Sequence, residues 1–464
     1  MDQQVIKDVL AEALKNGGDF ADIYIEHKRV TGIGCEGGKI ERIQSGIESG
    51  AGIRVISGEA TSYAYTNDLS REGLMNAAQI VSHAAKGDQN KITFELKKVQ
   101  PRVTFNIKKM PDSVTTEQKV KVVKAADQAA RAVDPEKIKQ VMVGYGDVVQ
   151  KVIIANSEGN YVEDERVRTR LMVQAVAAEG PVIQTGYEAV GSHSGFELLE
   201  RNNPEEIGRV AATRAVQMLT AKPAPAGKMP VVLAGEAGGT MVHEACGHGL
   251  EADLVQKGLS VYAGKKGQKV AADCVTVIDD ATLDDRYGSY SFDDEGVPAR
   301  KVVLIENGIL KDYMYDRLTA RREGVEPNGH GRRESYQDKP IPRMGNTYIA
   351  PGKDDPQEII RSAGSGLLVK KMGGGQVNTT TGDFVFDVAE GFLIKNGEIG
   401  PMVRGATLTG NGPEVLRIVE KVGSDLGFTI GTCGKDGQGV PVSDAQPTML
   451  IKQLTVGGTA HGEE

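Results

Sequence analysis

Tryptophan is absent from the 464 residues and aromatic side chains make up only 5% of them, which argues against stacking platforms for bases or sugars. No polybasic run occurs: 55 basic and 63 acidic residues are interspersed, for a net charge of -8. That balance argues against nucleic acid or an anionic membrane as the main partner. No apolar stretch approaches membrane-spanning length, and the start, Met1-Asp2-Gln3-Gln4, lacks the basic and apolar regions of a signal peptide. Cysteine is scarce too. Cys35, Cys246, Cys274 and Cys433 lie far apart with no CxxC pair, so free thiols in a reducing, cytoplasmic setting are expected.

Glycine is plentiful, at 58 residues. It punctuates short apolar runs in the manner of an antiparallel sheet. Helical periodicity is expected over residues 3–15, 70–86, 115–133 and 204–219. Strands are expected over 22–28, 39–44, 52–57 and 61–66, and again over 141–149, 152–156, 161–178 and 182–190. Residues 20–86 and 140–220 therefore read as two related units of several strands and one helix. The segment 222–227, with two prolines among small residues, reads as a linker. The expected organisation is α+β. An N-terminal α+β domain of antiparallel sheets with helices spans residues 1–226, and a mainly β domain spans 227–464. In the latter, strands are expected over 299–305, 309–315, 346–349, 366–371, 384–395 and 446–456, and helices over 316–322, 355–362 and 413–426.

Only seven histidines occur, and two of them, His243 and His248, flank the stretch beginning His243-Glu244. Two imidazoles can hold a metal while the adjacent carboxylate deprotonates water. The spacing is one residue longer than the familiar HExxH. On a regular helix, residues four apart lie about 40° from each other, whereas residues five apart lie about 140° from each other. Gly247 and Gly249 offer the way out, because the helix can kink, widen or end there. The preceding glycines fit neither GxxxxGK[ST] nor GxGxxG, which excludes a phosphate loop. A catalytic zinc needs a third protein ligand. Glu251, Asp253 and Cys433 all qualify, the last with Lys435 beside it to favour a thiolate, and spacing does not choose among them. Cys246 is expected to be a buried small residue.

The run His243-Glu244-Ala245-Cys246-Gly247-His248-Gly249-Leu250-Glu251 resembles the TldD/PmbA group of zinc metallopeptidases. So do Gly331-Arg332-Arg333-Glu334-Ser335-Tyr336, Pro342-Arg343-Met344 and 431–438. The intact His-Glu motif resembles the metal-bearing TldD type. The resemblance implies Zn²⁺ held by His243, His248 and Cys433, with Glu244 as catalytic base. It also implies a hetero-oligomer with a PmbA-like subunit around a cavity that admits extended or unfolded peptides. Family members are linked to peptide-antibiotic precursor trimming and antitoxin degradation, and were once called gyrase modulators.

Arg332, Arg333 and Tyr336 are expected to bind a peptide carboxylate or backbone. His330 is expected to be a surface-loop residue, and the carboxylates of 279–295 are expected to be solvated. The expected activity is peptide hydrolysis. The rivals are a zinc amidase acting on small molecules and a non-enzymatic regulatory protein with a structural zinc.

Overall fold

The computed structural model describes residues 1–85 and 95–458. Helix α1, Gln3–Ala13, starts where the Asp2 side chain accepts the Gln4 N–H, and it buries Ile6, Val9 and Leu10. Three antiparallel strands follow: β1 (Phe20–Glu36), β2 (Lys39–Ser57) and β3 (Ala60–Thr66). Helix α2, Arg71–Ala84, capped by Ser70, closes the unit; residue 86 of the expected helix lies outside the described residues. The pattern then recurs as α3 (Thr116–Ala132, with a Thr115/Gln118 capping box), β4 (Ile138–Asn156), β5 (Asn160–Glu179), β6 (Val182–Ser192) and α4 (Pro204–Leu219). The repeat read from the sequence is thus an architecture: helix, three-strand meander, helix, twice. The two meanders join side by side through β1 and β4, antiparallel from Asp22–Asn156 to Glu36–Met142. The helices cover one face of the resulting sheet. Ile23, Ile53, Leu74 and Val81 form one core there, and Val123, Val141, Val173 and Ala211 form the other.

Several expected strands merge into longer ones: 39–44 and 52–57 lie within β2, and 141–149 and 152–156 lie within β4. At Gly50 a side chain would collide with the Tyr336 ring, and at Gly52 with Tyr63. These are close-approach positions, not turns.

The second half packs two sheets around a large apolar core that includes Val231, Leu233, Val242, Leu250, Leu304 and Phe386. In the eight-stranded sheet, β7 (Gly227–Leu233) lies between Gly366–Val377 and Met449–Gly457. The six-stranded sheet ends on the hairpin Gly427–Lys435 and Gln438–Gln446, with Gly427–Lys435 at its edge. The strand expected at 446–456 is Met449–Gly457, with Gln446 ending the strand before it. The helix expected over 413–426 stops at Arg417, and Val419–Val422 turns back as a strand on Met449–Gly457. The proline-rich segment 222–227 is docked, with Lys222–Pro223 paired to Val403–Arg404. No helix among the described residues is long and apolar enough to cross a membrane.

The carboxylates expected to be solvated are mostly buried. Asp279, Asp280, Asp293, Asp294 and Glu295 are each at most 5% exposed. Arginines of the first sheet reach them across the junction of the halves. Arg54 joins Asp22 to Glu295, the latter at 2.7 Å, and Arg166 joins Asp164 to Asp294. Arg168 donates to the carbonyls of Tyr287 and Ser289, each at 2.8 Å. Buried charge persists only when paired in this way. His330 is also buried, its ring nitrogens 3.0 Å from Asp279 Oδ1 and 2.9 Å from Asn328 Oδ1.

Candidate metal centre

Strand β7 leads through a tight glycine turn into the His243 helix. Gly238 has φ 79°, which favours glycine, and a side chain on Gly239 would strike the backbone of Ala445. From His243 to Gly247 the backbone forms one π-helical turn, in which the His248 N–H donates to the His243 carbonyl. A ring closed between residues five apart brings those residues onto one face, as the α-helical ring does for residues four apart. The helix widens, and the extra residue between the histidines is absorbed. The imidazole centroids stand 5.0 Å apart with planes at 84°. Gly247 itself has ordinary helical torsions, φ -51°. It is needed for space, since a side chain there would meet Sδ of Met344.

Cys433 arrives from 185 residues away, its Sγ 3.4 Å from Nε2 of His248. The ligand atoms of His243, His248 and Cys433 lie within 4.8 Å of one another. The position of Cys433 is set by its hairpin. Asp436 and Gly437 have φ 51° and 76°, the left-handed pair of a two-residue turn, which registers Cys433 against Val440. Arg343 holds the same hairpin from behind, donating to the carbonyls of Cys433 and Gln438.

Burial raises the Cys433 thiol, but the two imidazoles outweigh it and bring the group down to about 5. Cys246 turns the other way, its Sγ 3.3 Å from the Val242 carbonyl, and burial pushes it up to about 12. Each imidazole has a carboxylate behind it: Glu251 Oε2 is 3.1 Å from Nδ1 of His248, and Asp444 Oδ2 is 3.5 Å from Nδ1 of His243. Burial alone would raise Glu251, yet Lys435 and His248 draw it down to about 2. Lys435 is engaged with Asp253 at 2.6 Å and Glu251 at 3.1 Å. The thiolate therefore owes its stabilisation to the histidines and not to Lys435. Glu251 and Asp253, the other candidates for third ligand, sit in this rear layer. Two imidazoles and a stabilised thiolate, with both rings backed by carboxylates, fit a borderline-soft ion such as zinc.

Glu244 and the two histidines open onto a cavity of about 1200 Å³. Its walls come from both halves of the chain: residues 185–192 of β6 on one side, residues 371–377 and the edge strand Gly427–Lys435 on the other. Burial raises the Glu244 carboxyl, with the nearby histidines opposing. Arg332, Arg333 and Tyr336 are not among the described residues lining the cavity. All three are at most 5% exposed. Arg332 stacks 4.9 Å from the Tyr290 ring centroid and donates to the Pro441 carbonyl. Arg333 lies 4.3 Å from the Tyr24 centroid and donates to the Asp294 carbonyl. The Tyr336 N–H donates to Glu26 at 2.9 Å. The turn expected to meet peptide instead ties the halves together. Residue-level reading of the sequence also missed Asp444, Arg343 and the contribution of β6. Of these, only Arg343 stood in a noted motif, and the Asp436-Gly437 turn was the one further local signal.

A two-histidine, one-cysteine cluster with a carboxylate beside it at a large cavity defines a candidate metallohydrolase centre. The chain belongs to the PmbA/TldA metallopeptidase family: domain 1 matches residues 21–85, the central domain 109–219 and the C-terminal domain 226–458. It is 37% identical to a metalloprotease TldD homolog of Haemophilus influenzae, over 95% of this chain and 93% of that one. It is 39% identical to a metalloprotease of Methanothermobacter thermautotrophicus, over 95% and 96%. A solved structure from Thermotoga maritima, described as a proposed modulator of a DNA gyrase, aligns with TM-score 0.81 at 26% identity, over 98% of this chain and all 100% of that one. TldE from Thermococcus kodakarensis shares the fold, with TM-score 0.77 at 20% identity over 98% and 100%. The TldD-type resemblance carried by the sequence motifs is therefore correct.

Proposed function

We propose that this chain is a zinc-dependent peptidase acting on unfolded or extended peptides. The observation that carries the reading is the ligand count beside the cavity: three clustered donors, not four, among the described residues, with Glu244 facing the same space. A structural zinc is closed by four protein ligands, whereas a catalytic one keeps a position free. His243 and His248, as neutral imidazoles, and Cys433, as thiolate, would hold the ion, with Asp444 and Glu251 fixing the ring orientations. When bound, the ion would supply Lewis acidity toward water and the scissile carbonyl. Glu244 takes the proton of the attacking water on its carboxylate and returns it to the leaving amine, and its raised affinity for protons suits both transfers. Among the described residues the outer edge of Gly427–Lys435 has no strand partner in its sheet, and it runs along the cavity. A peptide added there as a further strand would bind through main-chain bonds with little side-chain selection.

The reading extends to a PmbA-like partner subunit and to the cytoplasm. The second is supported by four cysteines that all remain free thiols. The test is digestion of an unfolded peptide by protein stripped with a chelator and then given zinc. Cleavage should vanish and return with one equivalent of metal. Full cleavage by the stripped protein would defeat the proposal. Repeating the digestion with a PmbA-like subunit added tests the partnership.

A further inference from the structure

The cavity wall carries one guanidinium that its surroundings leave unused. The other charged groups lining the cavity away from the metal cluster are engaged. Lys371 pairs with Glu188 at 3.1 Å, Lys435 pairs with Glu251 and Asp253, and Asp285 is held by Arg201 and Ser192. Arg286 differs. Among the described residues no carboxylate stands within ion-pair distance of it; Asp284 and Asp285 act on it only from farther away. Its guanidinium lies 4.1 Å from the Phe428 ring centroid. Burial lowers its pKa, so its charge is held there against a desolvation cost. A partly desolvated arginine stacked on an aromatic ring keeps its hydrogen-bonding fork free for a planar anion.

Its position gives that anion a place in a substrate. Phe428 and Cys433 lie on the same edge strand, Gly427–Lys435. Five residues of strand span about 17 Å. We infer that Arg286 is a specificity-determining residue, binding a carboxylate of an extended peptide roughly five residues from the bond that is cut, at the strand spacing that sets this distance. The inference rests on the peptidase reading above. A peptide antiparallel to the edge strand would present its C-terminal side to Arg286, and a parallel one its N-terminal side. The carboxylate can come from an acidic side chain or from the chain terminus.

The experiment uses the zinc-loaded full chain, as wild type, Arg286→Gln and Arg286→Lys, on peptides differing at one point. One carries Glu five residues after the cleaved bond and another five residues before it. A third has Gln in place of both, and each is made with free and with amidated C-termini. Wild type should favour one carboxylate-bearing peptide through KM, roughly tenfold, as one charge-assisted hydrogen bond provides. The preference should disappear in Arg286→Gln and partly survive in Arg286→Lys. A residue serving only to pack on Phe428 would leave the charge preference untouched. Equal kcat/KM for acidic and neutral peptides in wild type, or a preference that survives Arg286→Gln, overturns the inference. Anisotropy of the same labelled peptides on the protein reads Arg286 without turnover. If no peptide is cleaved even with a PmbA-like subunit added, the peptidase reading fails, while equal binding of acidic and neutral peptides overturns the role of Arg286 itself.

Discussion

Glu251 is wholly buried behind His248, with Lys435 on its other side. It fixes which imidazole nitrogen faces the ligand cluster, a task for which the carboxylate charge matters. Glu251→Gln should weaken zinc binding by about 10–100-fold, read by competition with a chromophoric chelator. Unchanged affinity would show that the carboxylate plays no such part. At this scale the sequence was readable where chemistry is local. His243, Glu244 and His248 announce themselves by type and spacing. Cys433 did not, because its approach is a tertiary event; the family resemblance named it, and spacing left Glu251 and Asp253 equally open. Asp444 was invisible for the same reason, since a carboxylate standing 3.5 Å behind an imidazole from another strand has no signature of its own. Arg332, Arg333 and Tyr336 misled in the opposite sense: guanidiniums and a phenol that suit peptide recognition suit an internal seam equally well.

The element that makes the site possible is the π-helical turn at His243–Gly247. The sequence allowed a kink, a widening or a stop near Gly247, and packing selected the widening. Met344 presses against the Gly247 backbone, so Gly247→Ala should cost about 1–3 kcal/mol of stability and also weaken metal binding. Thermal unfolding with and without zinc measures both, and a variant as stable as wild type would contradict the packing account. Helix Arg317–Glu323 supplies a pH test. Its cap Asp316 accepts the Thr319 N–H at 2.8 Å. Burial, and then the neighbouring Glu295 charge, raise Asp316 from 3.8 to about 7. A carboxyl with a raised folded value favours folding when protonated, so its contribution is full below about 4 and fades as pH climbs toward 7. Asp316→Asn keeps a cap oxygen and removes the charge. Its urea stability should therefore fall less than that of wild type between pH 4 and 8, by about 1–3 kcal/mol. Parallel curves would refute this. Strand lengths were misjudged where a gap was left between short runs: residues 45–51 belong to Lys39–Ser57, and the sequence does not show that the Tyr336 ring packs on Gly50.

In the whole molecule, the two halves share a buried seam of arginines and carboxylates, and the cavity lies where β6 meets the second half. The helix and strand pattern, including the duplicated unit, was legible because periodicity and caps are local. The seam and the cavity were not, because they depend on which buried charges meet across the junction. Arg166→Ala would leave the buried Asp294 carboxylate without its ion-pair partner, held by the Arg333 backbone N–H and the charge of Arg333 nearby, and should cost about 3–5 kcal/mol in urea unfolding. A surface-like loss below about 1 kcal/mol would mean that the seam is solvated. Glu244 is the carboxylate that faces that cavity beside the histidines. The most direct measurement compares zinc content and peptide cleavage in wild type and Glu244→Gln. The variant should keep full zinc occupancy, with cleavage lowered by about 10²–10⁴-fold. A Glu244→Gln protein that kept both its zinc and its full cleavage rate would contradict this.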